Sequence, residues 1–375
     1  MKIGFDVSQT CAERAGCGWY ADSLIRALVD TAPEHQYFLY HQFGSWINPD
    51  TNGGTRIKSP SVTPTFLDVS PQEAARIWGS PAEMVIKTGA PDIVHANSFR
   101  TVRIPGAKLV FTVYDVSFWA VPEFTTEDNR LACQEGMLKA LGEADGFIFI
   151  SQSTKDEFER MLPGWLERSR KPWAVTLLGP RYKNNKPSPT AKSAQYWLAV
   201  GSLEPRKNYD TLLDALEIYW AKSHRRLPLK IAGGSGWKSD SLKQRIETMQ
   251  ARGLLTYLGY VPDEDLSNLY LGAEALIFPS WYEGFGLPVL EALTLGCPVI
   301  CSNRTSLPEA GGKAAYYVDP SNPQEIADHM LKFDSVKFER QSRIQSSLRQ
   351  ADRFSWTQSA KQTLRLYERV LDTKL

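Results

Sequence analysis

Long apolar runs are missing from this chain. Nothing approaches 18 consecutive apolar residues, so no membrane-spanning helix is expected. Cysteine is scarce, with five residues (Cys11, Cys17, Cys133, Cys297, Cys301), no C-x-x-C pair and no metal-ligand spacing. That argues against a disulfide framework or a zinc site and for a reducing, cytosolic compartment. Excess charge is also missing: 43 Lys plus Arg stand against 42 Asp plus Glu. Global basicity therefore gives no reason to expect a nucleic-acid partner, although local basic clusters can still touch the anionic inner face of a membrane. No G-x-G-x-x-G follows the first strand, which speaks against a nicotinamide-dependent oxidoreductase. No Asp-x-Asp stands at a strand end, so no metal is expected. The opening MKIGFDVSQ reads as a strand rather than a signal peptide.

What is present is strand-helix alternation over 375 residues. That length suits two domains, and the alternation suits parallel sheets in two doubly wound halves. Lys2 to Val7 reads as the first strand, followed by a Gly16-Cys17-Gly18 loop and a helix over Trp19 to Val29. Further strands are expected at Tyr37–Tyr40, Ile57–Lys58, Ile93–His95, Leu109–Val113, Ala144–Ile150 and Ala174–Leu178, with a helix over Gln72–Thr88. Pro180 to Ser193 is polar and rich in Pro and Lys, which places a linker at 181–193 between domains 1–180 and 194–353. In the second domain, GSLEPRKN follows a strand at Tyr196–Val200 and puts Arg206 and Lys207 before a helix. Arg can grip phosphate in bidentate fashion and Lys supplies a compact charge. The acidic run Asp263-Glu264-Asp265 reads as a helix N-terminus.

One stretch organises the rest, PSWYEGFGLPVLEALTLGCPVICS from Pro279 to Ser302. It reads as a strand end, a glycine-bearing loop, a short helix with Pro288 in its first turn and Gly296 just past its end, then a strand. A helix start fed by such a loop suits an anion. Glu283 enters the loop from the carboxyl end of a strand, where open α/β sheets bind ligands. Glu291 sits about a turn into the helix, placed to accept bonds from hydroxyls. Two carboxylates around a phosphate-friendly helix start suggest a sugar and a ribose next to a diphosphate.

EGFGLPVLE resembles the signature of the family-4 retaining glycosyltransferases, and CSNRTSLPEAGG (Cys301–Gly312) and GSLEPRKN extend the likeness. The resemblance implies a GT-B fold, two Rossmann-like domains facing a central cleft, with a helix at 354–375 packing back on the first. It implies that Glu283 contacts the donor sugar, Glu291 the ribose, and Arg206 and Lys207 the diphosphate, together with backbone near Gly284, Phe285, Gly286 and Leu287. Gly16, Gly18, Gly201, Ser202, Gly234, Tyr260, Val261 and Leu266 would complete the nucleotide-sugar site. Where the family usually has His-Asp, this chain has Tyr114-Asp115, so imidazole is replaced by a phenol at a position the family gives to the donor sugar. His95, Ser98 and Arg100 are the candidates for acceptor binding, although His95 reads equally well as a structural residue.

The expected reaction is retaining transfer of a hexose, glucose or mannose foremost, from a UDP- or GDP-sugar to a saccharide or lipid-linked saccharide of a cell-surface polysaccharide, with no metal or other cofactor. The expected place is the cytoplasm, with peripheral contact to the membrane. Two alternatives stay open at this stage: a GT-B-fold nucleotide-sugar epimerase, and an inactive nucleotide-sugar-binding protein in which Tyr114 marks lost catalysis.

Overall fold

The computed structural model describes residues 1–11, 14–182, 195–335 and 340–373, so residues 183–193 of the expected linker lie outside it. The chain divides into two compact units. The first comprises Met1–Ala120, Asp128–Gly179 and Ser355–Leu375, and the second Val121–Glu127 and Pro180–Phe354.

The first unit carries strands β1 (Lys2–Asp6), β2 (Gln36–Tyr40), β3 (Val62–Thr65), β4 (Ile93–Ala96), β5 (Lys108–Val113), β6 (Gly146–Phe149) and β7 (Trp173–Val175). They form a parallel sheet in the order β3-β2-β1-β4-β5-β6-β7. β4 and β6 are buried along their whole length, and β6 accordingly reads as an unbroken apolar run rather than an alternating one. The helix Gly16–Thr31 buries Tyr20, Leu24, Ala27 and Leu28 at helical spacing. It packs against the helix Trp356–Asp372, where the rings of Tyr20 and Trp356 meet edge-on at 6.0 Å. Phe111, Phe147, Phe149, Phe158 and Trp78 belong to the buried apolar core.

The second unit carries β8 (Tyr196–Val200), β9 (Leu229–Ala232), β10 (Leu255–Gly259), β11 (Ala273–Phe278), β12 (Val299–Ser302) and β13 (Ala315–Val318), parallel in the order β10-β9-β8-β11-β12-β13. In both sheets the strand order reverses beside the first strand, and loops leaving the carboxyl ends of β8 and β11 are neighbours there. Trp197, Tyr219, Leu229 and Ile277 lie in the core of this unit.

Three expectations are corrected. The helix expected over Gln72–Thr88 is two helices, Pro71–Trp78 and Pro81–Lys87, because Gly79 and Ser80 end the first and Pro81 lacks the N–H that continuation requires. Ile57–Lys58 forms no strand. The strand lies at Val62–Thr65, on the sheet edge, where Pro64 removes no ladder bond that matters. The last strand of the first sheet is Trp173–Val175, shorter than Ala174–Leu178 and shifted by a residue.

One glycine tests the packing. A Cβ on Gly136, within the helix Glu127–Glu143, would lie 2.0 Å from the Phe99 carbonyl oxygen. Helix propensity favours Ala over Gly by about 1 kcal/mol, whereas a backbone clash that cannot rotate away costs about 1–3 kcal/mol. Gly136→Ala is therefore expected to lower the thermal midpoint, and a midpoint at or above wild type would show that Phe99 yields.

Candidate functional site

The loop after β8 holds Gly201, Ser202 and the turn Pro205–Lys207, and the loop after β11 holds Glu283. Gly201 has φ +145°, and a Cβ there would press on the Lys207 side chain at 3.1 Å, so glycine lets Lys207 lie along the backbone. Lys207 Nζ donates to Glu283 Oε1 at 2.7 Å and sits 4.9 Å above the Phe278 ring. Arg206 Nη1 donates to Glu283 Oε2 at 3.0 Å and to the Tyr282 carbonyl at 2.9 Å, while Nη2 donates to Glu204 Oε1 at 2.7 Å. Glu283 is buried. Burial pushes its carboxyl up, but the charges of Arg206 and Lys207 outweigh that and hold it below the usual range. Its backbone is fixed as well, since its N–H donates to Thr305 Oγ1 at 3.0 Å and its carbonyl accepts from Ser306 Oγ at 2.8 Å.

Gly284, Phe285 and Gly286 then lead into the helix Leu287–Thr294. Gly286 caps it with φ +100°, where a Cβ would also strike Leu307 at 2.7 Å. Phe285 is buried and meets the Phe354 ring edge-on at 5.8 Å. Gly296, φ +68°, follows the helix end as expected. In its first turn Pro288 has no N–H, and the N–H groups of Val289 and Leu290 both donate to the Gly286 carbonyl, at 3.0 and 3.2 Å.

Glu291 points into a second cluster. Arg181 reaches its Oε1 with both Nε and Nη2 at 2.6 Å, and Tyr270 donates its hydroxyl to Oε2 at 2.8 Å. Arg181 Nη1 also donates to Asp263 Oδ1 at 2.7 Å. Asp263, Glu264 and Asp265 do begin a helix, Asp263–Gly272. Leu266 is buried on that helix, and Tyr260 is exposed just after β10. Val261 beside it is half-buried. Gly234 has open space around it. Its neighbour Gly233 is the close approach, where a Cβ would lie 2.0 Å from the Gly201 carbonyl oxygen. Among the described residues, no group of three His, Cys, Asp or Glu side chains is arranged to hold a metal ion.

In the first unit, Gly16 opens its helix, and Gly18 lies so near the Gln9 carbonyl that a Cβ would sit 2.5 Å from it. Tyr114 is buried between Tyr20 and Phe99, and its hydroxyl has no hydrogen-bond partner. Asp115 Oδ1 accepts from the N–H and hydroxyl of Ser117, which starts a short helix. His95 does not serve as an acceptor contact. It is fully buried, and both ring nitrogens are engaged, Nε2 with Thr112 Oγ1 at 2.7 Å and Nδ1 with the Tyr367 hydroxyl at 2.6 Å. Thr112 spends its single hydroxyl hydrogen on Asn97 Oδ1, so His95 donates from Nε2 and accepts at Nδ1. Ser98 is buried as well. Arg100 bonds the carbonyls of Phe99 and Ala132. The expected acceptor trio therefore does not converge on a common surface.

The sequence profile of the glycosyl transferases group 1 matches residues 181–350. O-antigen chain mannosyltransferase B of Escherichia coli is 35% identical over 271 residues, covering 70% of this chain and 70% of that protein. The chain belongs to the group 1 glycosyl transferases. The serotype-specific mannosyltransferase WbdA of Escherichia coli is 27% identical over 100% of this chain, which spans 48% of that longer protein. The sucrose-phosphate synthase structure from Thermosynechococcus elongatus superposes with a TM-score of 0.71 at 18% identity, covering 99% of each chain, and shows the shared GT-B fold.

In this glycosyltransferase, sequence reading missed Arg181 and the buried chain Asp6–Asn97–Thr112. Asp6, at the end of β1, accepts from Ser8 N at 2.9 Å, Ser8 Oγ at 2.6 Å and Asn97 N at 3.1 Å, and burial pushes its carboxyl up. The signal for Asp6 is a charged residue closing an apolar first strand. Arg181 had no signal apart from its place after the last strand of the first unit.

Burial lowers the pKa of His95 to about 3. The unfolded chain, with an ordinary His pKa of about 6.5, therefore binds more protons than the fold as pH falls through that interval. Stability is expected to drop by about 1–2 kcal/mol between pH 7 and pH 5 from this residue. The difference should disappear in His95→Gln, read as a flatter dependence of thermal midpoint on pH. Equal slopes in both proteins would contradict a neutral buried imidazole.

Proposed function

We propose that this glycosyltransferase moves a hexosyl group, mannosyl foremost, from a nucleoside diphosphate sugar to a hydroxyl of a saccharide or lipid-linked saccharide, with retention at the anomeric carbon. The observation that carries the reading is the buried Glu283 carboxylate held between Arg206 and Lys207 beside the glycine-capped helix start. Lys207 has three ammonium hydrogens, and a carboxylate and a phosphate can share them. Arg206, Lys207 and the first turn of the helix then supply the positive field for the leaving diphosphate, the charge that a divalent ion supplies in other enzymes. Glu283 accepts from a hydroxyl of the donor sugar and fixes its pose, and Glu291 accepts from the ribose. The anomeric C–O bond to phosphate breaks as the bond to the acceptor oxygen forms on the same face, and the acceptor proton passes to the leaving phosphate oxygen. No protein nucleophile is required, in keeping with the resemblance to the family-4 retaining enzymes. Tyr114 stands where those enzymes usually carry His, and its hydroxyl is buried without a hydrogen-bond partner.

The mannosyl assignment is supported by the named activities of the O-antigen chain mannosyltransferase and WbdA. A surface-polysaccharide acceptor is supported by the same names. Contact with the inner membrane face belongs to the same reading. Among the described residues no helix is long and apolar enough to cross a membrane.

Thermal stability measured with GDP, UDP, GDP-mannose, UDP-glucose, UDP-galactose and UDP-N-acetylglucosamine, each with EDTA and with Mg²⁺, tests the donor site. The true donor at ~100 times its Kd adds roughly 2.7 kcal/mol. We expect GDP-mannose to stabilise without regard to EDTA. Lys207→Ala and Glu283→Gln should each lower transfer by about 10²-fold or more. Near-normal transfer by both variants would sink the assignment. Donor binding without transfer to any acceptor would favour the binding-protein reading that Tyr114 raised.

A further inference from the structure

Glu291 is 2% exposed, and a free carboxylate at that burial would be costly. Arg181 offsets that cost from a distant stretch of chain, 110 residues away in sequence. Its side chain is itself 9% exposed, and its guanidinium is fixed on three sides. Nε and Nη2 close on Glu291 Oε1, Nη1 holds Asp263, and its plane lies 5.1 Å from the Tyr182 ring centre. Tyr182 in turn donates to Asp263 Oδ1 at 3.1 Å. The Tyr270 hydroxyl takes one position on Glu291 Oε2. An ionised carboxylate accepts about four hydrogen bonds. These partners occupy Oε1 twice and Oε2 once, which leaves acceptor capacity on Oε2 and fixes the plane of the carboxylate.

We infer that Arg181 is a positioning residue that aims Glu291 at a ribose hydroxyl and so lets the site prefer ribonucleotides to deoxyribonucleotides. This rests on the reading of Glu291 as the ribose contact. Arg181 touches no substrate atom in this account. It sets the plane of the carboxylate, and Tyr270 and Asp263 lock the pair.

The test is the ratio of Kd values for 2′-deoxy, 3′-deoxy and ordinary nucleoside diphosphates, GDP or UDP as the donor panel selects, in the full-length protein. Wild type should favour the ribonucleotide over at least one deoxy analogue by about 10-fold or more, the scale of one charge-assisted hydrogen bond. In Arg181→Ala that ratio should fall to within about 3-fold of unity, with Arg181→Lys in between and Tyr270→Phe reduced part-way. Simple loss of stability weakens all ligands alike and leaves the ratio unchanged, so the ratio separates aiming from anchoring. If Arg181→Ala does not fold, Arg181→Lys and Tyr270→Phe decide. Wild-type ratios in these variants, together with a lost ratio in Glu291→Gln, would overturn the role of Arg181 alone. A wild-type ratio in Glu291→Gln would remove the ribose assignment itself and the inference with it.

Discussion

The arrangement of the second unit depends on one buried ion triad, Glu283 between Arg206 and Lys207. A lone carboxylate at this depth would be neutralised by protonation or would unsettle its loop. Here the two cations come from the loop after β8 and the anion from the loop after β11, strands that pair side by side. The triad therefore ties together the two connections that emerge at the strand-order reversal. Glu204 on the far side of Arg206 brings the count of carboxylates level with the cations. The loops are held in place by interactions internal to the protein, so a ligand arriving there meets groups that are already ordered.

Glu291 follows the same logic with different partners. It lies eight positions after Glu283, yet its cation comes from Arg181 rather than from the 206–207 turn. Two carboxylates of one short stretch are thus held by two separate parts of the unit.

Much of this was legible in the sequence, and the limits have physical causes. β8 begins and ends where the residue pattern places it, because a fully buried parallel strand is a short apolar run bounded by polar turns. The Glu283 loop, its glycine cap and the Arg206–Lys207 turn were visible because each carries local backbone chemistry with few substitutes. Val62–Thr65 was invisible as a strand, since an edge strand containing proline has neither alternation nor an apolar run. The break at Gly79–Pro81 was masked by helical periodicity on both sides. Arg181 sits in a polar stretch rich in lysine and proline, where an arginine that will be buried looks like one that will be solvated. His95 illustrates the reverse case. A histidine at the carboxyl end of a strand suggested a ligand contact, and the helix residue that bonds it, Tyr367, is 272 residues further along the chain.

That last contact bears on how the molecule is made. His95 and Tyr367 are 272 residues apart, and Tyr367 lies on the helix Trp356–Asp372 that packs beside Gly16–Thr31. During synthesis the second unit has all of its strands once Phe354 has left the ribosome, while the sheet of β1–β7 still lacks a helix that covers it. The half of the molecule that is translated first is thus the last to be finished. Its imidazole and the apolar face around it wait through the synthesis of Pro180–Phe354, roughly 10–35 s at ~5–20 residues per second. Over that interval a nascent chain of this architecture exposes a nearly complete but unsealed core.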